Sequence, residues 1–275
     1  MENNGNIKAV TFDLWETLLF ERDGYSSRRS AVRCRNVTEV LNEFGLHVSI
    51  EQAESALKHV VASLVRVWDN NADVGHVEQL ELLVRLVSHG SLDLNNEWVE
   101  KLSSAYVSAF FEVPPYLNPD ADKVLSELAE SGKQIGLICN TGLTPGFALR
   151  RFLESEGVLE YFDLLVFSDE IGFRKPDSKI FHFLARKLKV NPKNIVHVGD
   201  NLRVDVWGAK NAGFRAVFFS CEEGKDGIAE ADPTSLVTLS RSLGTMKAEE
   251  IIPDKTITQL SALARTIKEI ENIKP

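Results

Sequence analysis

Three aspartates stand out in this chain of 275 residues. Asp13 closes the apolar run Val10-Thr11-Phe12, and Asp200 closes Val196-His197-Val198-Gly199, with Asp205 five residues further on. A carboxylate just past the carboxyl end of a buried strand sits where open α/β sheets bind ligands. Asp13 and Asp200 are far apart in sequence, so only folding brings them together. Once together, Asp13, Asp200 and Asp205 form an all-oxygen cluster suited to Mg²⁺, which takes few carboxylates plus water and substrate phosphate. A carboxylate is also a competent nucleophile when its covalent product is hydrolysed in a second step.

Positioning these groups requires a sheet. Residues 7–13 read as a buried first strand. Past about residue 114, strand and helix signals alternate. Strands are expected at Gln134–Cys139, Leu164–Phe167, Ile195–Val198 and Arg215–Phe219. Helices are expected at about 119–131, 145–155, 177–188 and 203–212, with a last amphipathic helix over Ile257–Ile270. Such alternation implies a parallel sheet covered by helices on both faces, a Rossmann-like α/β core. Between about 26 and 112 the pattern changes to roughly four amphipathic helices, with no convincing strand between them. Trp68, Trp98 and Phe110 read there as packing residues, and Pro114-Pro115 marks the return. The expected organisation is a core of residues 1–20 and 114–275 with an all-helical insert at 21–113. Residues 221–252 read as a long loop or short extra elements.

Bulk properties narrow the function classes. Hydrophobic content of 44% and charged content of 26% describe an ordinary globular protein. A net charge of −9 argues against nucleic-acid binding. The densest basic stretch, Arg28, Arg29, Arg33 and Arg35, reads as a solvated helix face; the other reading is an anion-attracting face near a substrate entrance. Cys34, Cys139 and Cys221 form no CxxC pair, which fits a reducing compartment and neither a disulfide scaffold nor a structural zinc site. The polar first residues carry no apolar signal region, and no apolar run reaches the ~18 residues needed to span a bilayer. A cytoplasmic location, with no membrane partner, is therefore expected. Oligomeric state has no signature in the sequence.

From about residue 7 to 270 the order of these pieces resembles the haloacid dehalogenase superfamily of aspartate-nucleophile hydrolases. Four sites carry the resemblance: Asp13-Leu-Trp15-Glu-Thr17, Cys139-Asn140-Thr141-Gly142, Arg174-Lys175-Pro176-Asp177, and Gly199-Asp200-Asn201 through Asp205. The resemblance implies that Asp13 is the nucleophile and that Thr17 buttresses its loop by hydrogen bonding. It implies that Lys175 pairs with Asp13 and with the transferring group. Asp200 would bind Mg²⁺ directly or through water, Asp205 would orient metal-bound water or Lys175, and the Trp15 backbone carbonyl would complete the metal site. Cys139, Asn140 or Thr141 would hold a phosphate oxygen. The implied function is a Mg²⁺-dependent hydrolase of small phosphorylated metabolites working through an aspartyl-phosphate intermediate, with the helical insert as a type-1 cap.

Two residues depart from the family pattern. Phosphatases of the family usually carry a second Asp where Trp15 stands, to protonate the leaving oxygen and then activate water. An indole offers only a neutral N–H donor. Trp15 reads instead as a hydrophobic wall, and Glu16 as a candidate substitute acid–base. Cys139 replaces a usual Ser or Thr; a thiol is a poorer donor, and the other reading is a small buried hydrophobe. Arg22 and Arg28 are candidate contacts for an anionic substrate. Two alternatives stay open: a metal-independent 2-haloacid dehalogenase, whose leaving halide needs no proton, and a catalytically weak phospho-ligand-binding protein. Against the first, an extra carboxylate at Asp200 would repel a 2-halocarboxylate unless a metal neutralises it.

Overall fold

A computed structural model describes residues 6–92, 94–220 and 250–272. Six parallel strands form the central sheet: β1 (Ala9–Phe12), β4 (Gln134–Cys139), β5 (Leu164–Phe167), β6 (Ile195–Gly199), β7 (Arg215–Phe219) and β8 (Lys255–Ile257). Their spatial order is β5-β4-β1-β6-β7-β8. Asp13 and Asp200 follow the carboxyl ends of neighbouring central strands, because β1 and β6 pair in register from Ala9↔Ile195 to Phe12↔Val198.

The strand residues alternate between two apolar clusters, as a period-2 strand buried on both faces must. Val10, Phe12, Leu137 and Val198 face α5 (Ala121–Glu130), α6 (Gly146–Ser155) and α10 (Leu263–Asn272). Ala9, Ile138 and Ile195 face α8 (Ser178–Leu188) and α9 (Gly208–Asn211). The sheet continues to β8, so Lys255–Ile257 is strand before the last helix begins. The helix expected at 203–212 divides into a π-type turn, Leu202–Trp207, and α9. Nearly all of the loop expected at 221–252 lies outside the described residues.

Four helices lie between β2 (Leu19–Phe20) and β3 (Tyr116–Leu117): α1 (Tyr25–Glu43), α2 (Ile50–Trp68), α3 (His76–Val87) and α4 (Asn96–Glu112). They share an apolar core that includes Val37, Leu41, Leu57, Leu80 and Leu102. Local chemistry sets their starts. Ser49 and Gln52 form a reciprocal capping box on α2, and the Asn95 side chain accepts from the Trp98 N–H on α4. Phe110 is fully buried, Trp98 stacks on Phe44 at 4.2 Å, and Trp68 lies beneath the Arg174 guanidinium.

The two-stranded antiparallel ribbon β2–β3 carries the chain out of the sheet and back. No periodicity announces strands of two residues. Arg29 fastens the same crossing: its Nε and Nη2 donate to the Val113 carbonyl at 2.9 and 2.8 Å, and it pairs with Glu21. The basic stretch is therefore not one solvated face. Arg28 and Arg35 are exposed, whereas Arg29 and Arg33, one turn apart, point inward and are buried.

Candidate active site

Asp13 is pinned at the end of β1 by its N–H, which donates to the Val198 carbonyl of β6 at 2.8 Å. Lys175 arrives from the loop before α8, and its Nζ bridges Asp13 Oδ1 at 2.6 Å and Asp205 Oδ1 at 2.7 Å. Asp13, Asp200 and Asp205 each bring a carboxylate oxygen within 4.8 Å of the others. The all-oxygen donor set and this convergence fit Mg²⁺.

Burial raises the Asp13 carboxyl, opposed by the Lys175 charge and reinforced by Asp205. Burial also works against Asp205, but the Lys175 charge and the His197 hydrogen bond outweigh it and hold Asp205 ionised. Lys175 loses solvation too, yet its two carboxylate partners keep it protonated. One ammonium thus ties together a carboxylate from the end of β1 and one from the π-type turn that follows β6.

Behind that triad lies a buried relay that sequence reasoning did not include. His197 Nε2 contacts Asp205 Oδ1 at 3.2 Å, and His197 Nδ1 contacts Thr11 Oγ1 at 2.9 Å. The Asn201 N–H donates to Asp205 Oδ2 at 3.0 Å. Asp205 therefore has both oxygens engaged, Oδ1 by Lys175 and His197 and Oδ2 by the Asn201 N–H. Gly199 permits this approach: a Cβ there would lie 2.4 Å from Asp205 Cγ. The one sequence signal for His197 and Thr11 was their place on β6 and β1, directly paired across the sheet.

The three residues expected to hold a phosphate oxygen are engaged otherwise. Cys139 is fully buried in the apolar cluster under the sheet, and burial pushes its thiol well above the ordinary range. That is the small-hydrophobe reading. The Asn140 amide grips the Lys175 backbone from both ends, accepting its N–H and donating to its carbonyl, each at 2.8 Å. Thr141 Oγ1 meets Ser168 Oγ at 3.1 Å and accepts from the Asp169 N–H at 3.2 Å. Asn140 and Thr141 thus build the loops that carry Lys175.

The Asp13 loop shows a second correction. Thr17 Oγ1 is buried with no hydrogen-bond partner among the described residues, so the hydroxyl does not buttress the loop. Asn118, at the end of β3, does so instead: its Nδ2 donates to the Thr17 carbonyl at 3.0 Å and its N–H to the Leu18 carbonyl at 2.8 Å. Trp15 packs edge-on against Phe110, with the Arg29 guanidinium 5.9 Å from its ring centre. It is a wall between the Asp13 loop and the helical layer. Glu16 takes φ 57°, the left-handed region that favours small residues. Arg22 is exposed and lies over the Tyr116 ring; Arg28 is exposed.

The helical layer is joined to the core close to Lys175. The Asp73 N–H donates to the Gly172 carbonyl, and the Arg174 N–H to the Asn71 carbonyl, both at 3.0 Å. The Asp73 carboxylate accepts from Ser168 Oγ at 2.5 Å and from Arg174 Nη1 at 3.3 Å.

A family model described as haloacid dehalogenase-like hydrolase matches residues 7–213. Among curated proteins, the glyceraldehyde 3-phosphate phosphatase of Methanopyrus kandleri is 33% identical over 215 residues, 77% of this chain and 83% of its own. The ribulose-1,5-bisphosphate 5-phosphatase of Halopiger xanaduensis is 37% identical over 131 residues, 48% of this chain and 53% of its own. Among solved structures, a 2-haloacid dehalogenase from Pseudomonas syringae pv. Tomato superposes with a TM-score of 0.64 at 20% identity, covering 96% of this chain and 99% of that one. That last likeness concerns the fold alone.

Proposed function

The chain belongs to the haloacid dehalogenase-like hydrolases, and from that premise we propose that it is a Mg²⁺-dependent phosphatase of small phosphorylated metabolites. The observation that carries the proposal is Lys175 bridging Asp13 and Asp205 beside Asp200. The names of relatives such as the Methanopyrus kandleri phosphatase support phosphate esters as substrates.

Asp13 attacks phosphorus through a carboxylate oxygen, and the bond from phosphorus to the leaving oxygen breaks. Water then attacks the aspartyl-phosphate at phosphorus, releasing inorganic phosphate and restoring Asp13. Lys175, protonated and rigidly held, balances the charge of Asp13 and of the arriving phosphoryl group. Asp205 and His197 fix where the Lys175 ammonium sits, and Asn140 fixes its backbone. Mg²⁺ held by Asp13, Asp200 and the Trp15 carbonyl, with Asp205 reached through water, would offset repulsion between nucleophile and phosphate. The helical layer, residues 21–113, would act as a cap that excludes water during the attack and admits it afterwards. Trp15 donates no proton to the leaving oxygen, so the chemistry favours leaving groups that need little protonation. Asp200 next to the nucleophile disfavours metal-free dehalogenation, since it would repel a 2-halocarboxylate.

The test is hydrolysis of an aryl phosphate with Mg²⁺, with EDTA, and by Asp13→Asn. An aryl leaving group makes little demand on a general acid. Mg²⁺-dependent turnover that vanishes in Asp13→Asn is expected. Absence of turnover under every condition overturns phosphotransfer and leaves ligand binding as the function; halide release without Mg²⁺ would establish the dehalogenase instead.

A further inference from the structure

The helical layer does not stand free of Lys175. The loop between α2 and α3, residues 69–75, meets the segment that leads into Lys175, with Ala72 and Phe173 as an antiparallel bridged pair. The bonds of that bridge are those from the Asp73 N–H to the Gly172 carbonyl and from the Arg174 N–H to the Asn71 carbonyl. From this loop Asp73 turns its carboxylate into the contact, where the side chain is 1% exposed.

Two routes lead from the Asp73 carboxylate to Lys175. The first runs through Arg174, whose Nη1 lies 3.3 Å from Asp73 Oδ2 and whose backbone continues directly into Lys175. Burial works against the Arg174 charge, and Asp73 opposes that loss. The second runs through Ser168, just past β5. The Ser168 hydroxyl has one proton, and at 2.5 Å from Asp73 Oδ2 it donates there, because a carboxylate only accepts. Ser168 Oγ is then left to accept from the Thr141 N–H at 2.8 Å and from the Thr141 hydroxyl at 3.1 Å. The Thr141 hydroxyl in turn accepts from the Asp169 N–H. Thr141 follows Asn140, whose amide holds both the N–H and the carbonyl of Lys175. Asp73 thus fixes the direction of a hydrogen-bond chain that joins the loop after β4 to the loop carrying Lys175.

The Lys175 ammonium has little room for error. It lies 2.6 Å from Asp13 Oδ1 and 2.7 Å from Asp205 Oδ1, and a shift of about 1 Å away from either oxygen takes it beyond hydrogen-bond range of that oxygen. Misplacement on that scale costs about a hundredfold in rate. We propose that Asp73, a residue of the helical layer, is a positioning residue for Lys175, so that docking of the 69–75 loop and placement of the ammonium against Asp13 are one event. Asp73 acts on the nucleophile only through Arg174, Ser168 and the loops they hold. With the loop undocked, Asp13 loses its paired cation, so attack is confined to the docked layer. The inference rests on the phosphatase reading and adds how the helical layer controls that same site.

The test uses Asp73→Asn, which keeps the shape of the side chain, and Ser168→Ala, a smaller cut in the second route. Both are assayed at a temperature where circular dichroism shows them folded. For hydrolysis of p-nitrophenyl phosphate with Mg²⁺, kcat should fall at least about tenfold in Asp73→Asn and about threefold or more in Ser168→Ala, with KM changed less than about twofold. The second readout needs no turnover. Hydrogen exchange of the Lys175 amide, which donates to Asn140, should quicken at least about tenfold more in Asp73→Asn than that of Leu137 in β4. That ratio separates a loosened Lys175 from a general loss of stability. An unchanged kcat in folded Asp73→Asn, or a rise in KM alone, overturns the proposal. So does a fall in kcat that leaves the Lys175 exchange ratio as it was. A loosened Lys175 in Asp73→Asn, when the parent protein turns over no phosphate ester, upholds the positioning and overturns the phosphatase reading.

Discussion

Asp73→Ala should destabilise this protein far more than a surface carboxylate would, and the contacts of Asp73 set the size of the effect. Its side chain is 1% exposed and that of Arg174 9%. It accepts from Trp68 Nε1 and from the Val74 N–H, each at 2.9 Å, besides Ser168 Oγ and Arg174. At 3.3 Å and an effective dielectric of about 20, the Coulomb attraction to Arg174 is roughly 5 kcal/mol before desolvation is charged against it. Removing one partner of a buried pair leaves the other uncompensated, a loss of about 3–5 kcal/mol. For a chain of this size that corresponds to a fall of roughly 6–20 °C in melting temperature. Trp68 lies 4.3 Å from the Arg174 guanidinium, so tryptophan fluorescence reports on the contact directly. Urea and thermal unfolding would be measured for Asp73→Ala, Arg174→Met and the double variant. The double variant should recover part of the loss, because it removes the stranded charge. A loss below about 1 kcal/mol in Asp73→Ala, or a double variant no more stable than Asp73→Ala, would refute this reasoning.

Two further predictions concern single residues. Burial, with the Arg33 charge behind it, lowers His76 to about 4, so His76 is neutral in the folded protein. The unfolded chain binds the extra proton between roughly pH 6.5 and 4. The stability contributed by neutral His76 is therefore complete above that window and is lost as pH falls through it, by about 3 kcal/mol at most. Urea midpoints at pH 5 and pH 7.5 should differ less for His76→Gln than for the parent; an unchanged difference would contradict the assignment. Gly199→Ala places a Cβ against Asp205, and the displaced Asp205 releases Lys175. Aryl phosphate turnover should fall by about two orders of magnitude in a protein that still unfolds cooperatively; near-normal turnover would show that Asp205 does not govern Lys175.

Much of the core was legible because its signals are local. Gln134–Cys139, Leu164–Phe167 and Arg215–Phe219 form strands over the residues that their apolar runs mark out. The helix expected at about 119–131 forms as α5, and Gly132, at φ 73°, follows its end and turns the chain toward β4. The errors fell where local pattern competes with distant contacts. The basic run on α1 looked like one solvated face, yet Arg29 and Arg33 turn inward because Val113 and Tyr106 supply acceptors from other elements. Thr17 looked like a buttress, yet Asn118, 101 residues away, takes that work.

By itself, the sequence determined the alternation of strands and helices, the place of the helical layer after the first strand, and the carboxylates at the strand ends. Each of these follows from residue type and short-range period, which the chain carries wherever it goes. The pairing of Lys175 with Asp13 across 162 positions was expected from the family resemblance alone, and only the tertiary structure decided that His197 and Thr11 stand behind Asp205 and that Asn140 serves Lys175. It also decided which buried polar atoms, Thr17 Oγ1 among them, lack a hydrogen-bond partner among the described residues. Hydrogen-bond partnership depends on distance and angle at the scale of tenths of an ångström, and residue spacing along a chain carries no record of that.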